Sequence, residues 1–204
     1  MSQQPTPYTV SNKWMCIMDD ILSPTECTDF IQLLDNPDEL ELVDHGYASY
    51  ERNILHSPEW ATIIYNHIIA HLPEKIKHNI YINDYFRFSK YTHGQRFGLH
   101  QDKVNRDKNG SKAIMTVNIF LNDNFEGGET CFYENDDATS TTPPTVCAVP
   151  KAGRGAIFEN QIWHSGNVVH NGCKYLIRTD VMMKPINTTV MRNDATPILL
   201  FNPS

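Results

Sequence analysis

His100, Gln101 and Asp102 stand together, and a second histidine, His164, follows in Trp163-His164-Ser165-Gly166. Residues two apart on a β-strand face the same way, so His100 and Asp102 would present an imidazole and a carboxylate side by side. A second imidazole from another strand would complete two nitrogens and one oxygen on one side of a metal ion. That donor set suits an Fe(II) site whose opposite side stays open for small molecules and O2. The triplet alone decides little, because chance places roughly 0.6 His-x-Asp triplets in a chain of this composition.

The surroundings add specificity. Tyr91-Thr92-His93-Gly94-Gln95-Arg96-Phe97-Gly98-Leu99 precedes the triplet. Phe120-Leu121-Asn122-Asp123 and Gly127-Gly128-Glu129-Thr130-Cys131-Phe132 follow it, and Gly172-Cys173-Lys174-Tyr175 comes after His164. In this order and spacing, the stretch from about Phe86 to Met183 resembles the prolyl 4-hydroxylase-like branch of the 2-oxoglutarate/Fe(II)-dependent dioxygenases.

The resemblance implies a double-stranded β-helix (jelly roll). It implies Fe(II) held by His100, Asp102 and His164, with 2-oxoglutarate and O2 as cosubstrates. The expected reaction is hydroxylation of an unactivated C–H bond, with release of succinate and CO2. Asp102 in place of a small residue favours hydroxylation or desaturation over halogenation. The far carboxylate of 2-oxoglutarate needs a cation, since an unpaired buried carboxylate is very costly. Lys174 matches the family's cation; Arg178 is a rival, because positions 174, 176 and 178 share a strand face. Tyr91 and Thr130 match family residues that contact the cosubstrate. Arg87 matches an inward-facing arginine that could meet substrate, and Arg52-Asn53 echoes an element over the active-site mouth. Each has a plain structural alternative: core packing for Tyr91, a strand residue at Thr130, a solvent-facing strand end at Lys174, an ion pair from Arg178 to Asp180 or Glu129, and exposed loop polarity at Arg52.

Peptidyl proline is the first substrate suggested by the resemblance. An intracellular protein target, a free amino acid and a small metabolite stay open, as does a requirement for ascorbate. A catalytically silent jelly-roll binding module is the competing class. A nucleic-acid demethylase of the same superfamily is disfavoured, since His170 and Lys174 stand where that family carries arginines.

The composition bounds the setting. A chain of 204 residues with 40% hydrophobic and 20% charged residues suits one soluble domain with a good core. A net charge of −7 leaves no broad basic face, so no nucleic-acid partner is expected. No apolar run approaches the ~18 residues that cross a membrane. The first residues, MSQQPTPYTVSNK, lack the pattern of a signal peptide, which points to the cytoplasm. Five cysteines without a CxxC pair are expected to be reduced thiols.

Residues 1–13 read as a flexible N-terminus and 14–204 as a single domain, with its jelly-roll core at about 80–183. Trp14 to Met18 reads as a strand. Ser23-Pro24-Thr25-Glu26 is a capping box that opens a helix through Phe30, Ile31, Leu33 and Leu34. Ser57-Pro58-Glu59-Trp60 opens a second, with Ile63, Ile64, His67 and Ile68 at helical spacing. His67 and His71 could ligate a metal, but nothing completes such a site. From Tyr81 onwards strands dominate. Met115, Val117, Ile119 and Leu121 form one apolar face, while Ile114, Thr116, Asn118 and Phe120 form a mixed one. That alternation predicts a barrel strand with helices outside and a polar pocket inside. Val104 to Ser111 is a polar loop with an Asn109-Gly110 turn, which in the family can serve as a lid. Ile198 to Phe201 is expected to pack onto the body. The predicted fold class is mainly β, a jelly roll with N-terminal flanking α-helices.

Overall fold

The computed structural model describes residues 5–134, 139 and 141–185. Strands β1 (Thr6–Val10) and β2 (Lys13–Met18) lead into α1 (Pro24–Leu34). The hairpin β3 (Glu41–His45) and β4 (Ala48–His56) leads into α2 (Pro58–Ile68), followed by 3-10 turns at Ile69–His71 and Glu74–Asn79. Then come β5 (Ile80–Ile82), β6 (Tyr85–Tyr91), β7 (Arg96–His100), β8 (Lys112–Phe120), β9 (Glu126–Gly127) and β10 (Thr130–Tyr133). The last are β11 (Val146–Ala148), β12 (Gly155–Glu159), β13 (Trp163–Gly166), β14 (Val169–Asn171) and β15 (Lys174–Met183).

Among the described residues, one curled antiparallel sheet runs in the order β1-β2-β12-β8-β15-β6-β4-β7-β13-β10-β11, and β9 pairs with β14 separately. This is the predicted mainly-β jelly roll with few helices. Most neighbours in the sheet are distant in sequence, which brings β7, β8, β13 and β15 around one interior.

Both helices start where the serines place them. Ser23 and Glu26 form the reciprocal capping box of α1, and the Ser57 side chain accepts from Trp60 N in α2. Each cap satisfies N–H groups that the first turn leaves without partners. The predicted alternation in β8 holds. Met115, Val117, Ile119 and Leu121 pack outward with Phe30 of α1 and Ile64 and Ile68 of α2. A second cluster, including Phe120, Phe132, Phe158 and Leu176, fills the other side of the barrel.

Two expectations need correction. Residues 6–10 are not loose: β1 pairs along its length with β2, whose free edge supplies the backbone partners. Two of the five cysteines are not free thiols: Cys131 and Cys147 face each other across the β10–β11 ladder and form a disulfide. Cys16, Cys27 and Cys173 remain free. The loop at 104–111 is a bonded turn: Asp107 Oδ1 accepts from Asn109 N and Ser111 N, and Tyr81 donates to Oδ2. It contributes no side chain to the pocket described below. His67 serves packing, its Nδ1 donating to Ile21 O at 2.6 Å. The segment Ile198–Phe201 lies outside the described residues.

Candidate active site

His100 ends β7 and His164 lies on β13, and the two are directly opposed across the ladder. Asp102 follows β7, its backbone N held by Asn160 O at 2.9 Å. One ligating atom from each of the three lies within 4.8 Å of the others. Nε2 of His100 is 3.7 Å from Asp102 Oδ1, and Nε2 of His164 is 3.7 Å from Oδ2.

The backbone sets the tautomers. Nδ1 of His100 contacts Gly98 O at 2.8 Å, and Nδ1 of His164 contacts Ile162 O at 2.9 Å. A carbonyl oxygen only accepts, so each Nδ1 carries the hydrogen and each Nε2 turns a lone pair inward. Burial, then repulsion from His164, pushes His100 down to about 3. Burial lowers His164 as well. Burial opposes ionisation of Asp102, but His164, Arg178 and the Thr116 hydroxyl outweigh it and hold the carboxyl below its ordinary range. Two imidazole lone pairs and a carboxylate therefore converge with no proton among them. A cation there would relieve their mutual repulsion, and two nitrogens with one oxygen suit Fe(II).

Both oxygens of Asp102 are held. Thr116 Oγ1 donates to Oδ2 at 2.6 Å, and Arg178 Nη2 lies 3.0 Å from Oδ1. Such outer contacts fix a ligand's orientation. Thr116 was visible in the sequence only as a member of β8's mixed face.

Lys174 lies at the other end of the pocket. It is 2% exposed, and its Nζ donates to Gly128 O at 2.7 Å. The ammonium faces the rings of Tyr91 at 4.9 Å and Phe120 at 5.3 Å. Burial pushes it down to about 7, with Glu129 pulling the other way. Among the described residues no carboxylate forms an ion pair with it, so this buried cation fits an incoming carboxylate. Gly128 makes the room: at φ +68°, a Cβ there would sit 3.0 Å from Lys174 Cδ and 2.9 Å from Phe125.

The other predicted residues divide. Tyr91, Thr130, Arg87 and Arg178 line the same pocket as the three acceptors and Lys174. Tyr91 is buried, and burial raises its hydroxyl's pKa. Arg178 does not reach the lysine's place; its guanidinium engages Asp102 and Asp180. Arg52 does not line the pocket: it reaches the exposed Glu41 at 2.8 Å. Sequence reasoning missed Tyr50, Ser89 and Phe97, which also line the pocket, while Asn118 of the predicted mixed face lines it as expected. Phe97 packs on His100 with ring centroids 4.0 Å apart, and Tyr50 stacks on Tyr91 at 5.1 Å.

Residues 86–179, which carry every pocket-lining residue except Tyr50, match the family model described as the 2OG-Fe(II) oxygenase superfamily. The matched stretch of this chain is thus similar to that superfamily. No curated protein matches the chain. Solved structures with a similar fold include a viral collagen prolyl hydroxylase from Paramecium Bursaria Chlorella virus-1 in its 2OG complex. It is 20% identical, with 83% of this chain and 96% of that one covered and a TM-score of 0.57. A Pseudomonas putida prolyl-4-hydroxylase is 12% identical over 84% of this chain and 93% of that one, with a TM-score of 0.57. A Trichoplax adhaerens prolyl hydroxylase in complex with a hypoxia inducible factor peptide is 16% identical over 83% of each chain, with a TM-score of 0.59. The chain thus shares its fold with these prolyl hydroxylases, and its core is similar to the oxygenase model. No helix among the described residues is long and apolar enough to cross a membrane.

Proposed function

We propose that this oxygenase hydroxylates a C–H bond using Fe(II) held by His100, Asp102 and His164 and 2-oxoglutarate anchored by Lys174. The observation that carries the reading is the pairing of two opposite needs in one pocket. Three converging acceptors, two of them buried, suit a cation, and the buried Lys174 ammonium beside them suits an anion.

When bound, Fe(II) with 2-oxoglutarate and O2 supplies the oxidative chemistry, releasing succinate and CO2. The chain's own groups do the positioning. Gly98 O and Ile162 O keep both imidazoles facing inward. Thr116 and Arg178 keep the carboxylate of Asp102, which would hold the metal, from rotating. Lys174 answers the far carboxylate, with Tyr91 and Thr130 beside it. Phe97 and Tyr50 shield His100 and Tyr91 from water.

A prolyl residue in a peptide is the substrate the fold neighbours suggest first, and one of them is bound to a peptide. A small metabolite would use the same site. The Cys131–Cys147 disulfide removes the argument for the cytoplasm from reduced thiols. A need for ascorbate would be read from turnover with and without it.

The test is succinate formation by Asp102→Ala and His164→Ala variants that keep the wild-type circular dichroism spectrum. Both should lose iron-dependent turnover. Retained turnover would refute the ligand set, and iron binding without turnover in the wild type would favour a silent binding module.

A further inference from the structure

The pocket has a third polar feature beside the acceptors and Lys174. Arg87 of β6 and Arg178 of β15 are cross-strand partners, and both line the cavity. They share one buried carboxylate, Asp180, at 3.3 Å and 3.5 Å respectively. Arg52 of β4 is paired with Ser89, which lines the same cavity, and its ion partner Glu41 is mostly exposed. All three guanidinium charges reach Tyr50: burial raises its hydroxyl's pKa, and Arg52, Arg178 and Arg87 pull it back.

The charges do not balance once the site is loaded. Without metal, Arg87 and Arg178 face two carboxylates, Asp180 and Asp102. A divalent cation takes up the charge of Asp102, while that cation and Lys174 answer the two carboxylates of 2-oxoglutarate. Asp180 then stands alone between two guanidinium groups, and one positive charge in the pocket wall lacks a partner. A half-buried unpaired charge is costly, so the wall favours an anion. Arg87 is the accessible end of this wall: its side chain is 25% exposed, and one of its nitrogens is engaged by Asp180. Nε of Arg178 and Nε of Arg52 are buried donors with no protein partner among the described residues.

We propose that the substrate carries a carboxylate, received at the pocket wall by Arg87, with the charge of Arg52 acting from outside the cavity. The proposal rests on the dioxygenase reading above and narrows its substrate class. The carboxylate could belong to a free amino or carboxylic acid, or to an acidic residue of a peptide.

Matched acid and amide probes separate these cases. L-proline and other L-amino acids would be titrated against their amides, and blocked Pro-Asp peptides against Pro-Asn peptides. Binding would be read by calorimetry on protein loaded with Mn(II) and 2-oxoglutarate. The acid member should bind at least tenfold more tightly. Preference confined to the small acids identifies a free acid as substrate, and preference confined to the aspartyl peptides identifies a peptide. Arg52→Gln, at a partly exposed side chain, and Arg87→Lys, which keeps a charge for Asp180, should each reduce the preference severalfold. Equal binding of acids and amides, or no binding of any acid, overturns the proposal. Failure of 2-oxoglutarate itself to bind in the same instrument overturns instead the dioxygenase reading on which it rests.

Discussion

Arg178 Nη2 lies 3.0 Å from Asp102 Oδ1. Lys174, four residues earlier on the same strand face, has no such carboxylate among the described residues. The two cations are therefore placed differently, one on a metal-ligand candidate and one, on the proposed reading, for the far carboxylate of 2-oxoglutarate. Lys174→Ala should weaken 2-oxoglutarate binding by about 100-fold, the order of a lost buried charge-assisted contact. Arg178→Ala should weaken it far less. Titration of 2-oxoglutarate into the Fe(II)-loaded variants measures both, and the reverse order would mean that the arginine is the anchor.

Thr116 is fully buried and donates to Asp102 Oδ2 at 2.6 Å. Thr116→Val keeps the shape and removes the donor. Outer contacts of this kind typically contribute about 10- to 100-fold to metal affinity. Competition with a chelating dye should show a loss of about tenfold in Fe(II) or Co(II) affinity, with the fold retained. Unchanged affinity would mean that the hydroxyl does not orient the carboxylate.

The pH dependence follows from Lys174, whose pKa is depressed to about 7 mainly by burial. The protonated form, which attracts a carboxylate, predominates below that value. Free protein should bind 2-oxoglutarate progressively less well as pH rises above about 7, and binding there should take up a proton as the ammonium re-forms. The linkage for stability has the opposite sense. Between about 7 and the unfolded value of 10.5, the unfolded chain holds the proton and the folded chain does not, so this group favours folding more as pH rises. Calorimetry in buffers of different ionisation enthalpy would detect the proton uptake, and Lys174→Ala should lack it.

Gly128 has a positive φ and little space beside Lys174. Gly128→Ala should cost about 1–2 kcal/mol of stability through backbone strain and displace the lysine stem. Chemical denaturation reads the first effect and weaker 2-oxoglutarate binding the second. A stable variant with wild-type binding would show that Lys174 has more freedom than its surroundings suggest.

Much of the site is legible in the sequence because strand alternation is local. His100 and Asp102 share a face, and Lys174, Leu176 and Arg178 share another, by spacing alone. The helix caps at Ser23 and Ser57 are equally local. What was hidden depends on cross-strand register. Arg178 meets Asp102, and Cys131 meets Cys147 sixteen residues away, only once distant strands align. Tyr50 and Phe97 enter the site because β4 pairs with β7, a neighbour more than forty residues away that no periodicity announces. The strand at Thr6–Val10 carries little apolar pattern and exists because β2 offers it an edge.

The central claim is that one pocket holds Fe(II) on His100, Asp102 and His164 and 2-oxoglutarate on Lys174 together. Anaerobic addition of both to the protein, followed by visible spectroscopy, tests it most directly. The claim predicts a weak visible charge-transfer band that requires both components and decays on O2 addition with release of succinate. Bound iron and added 2-oxoglutarate with no such band would contradict it.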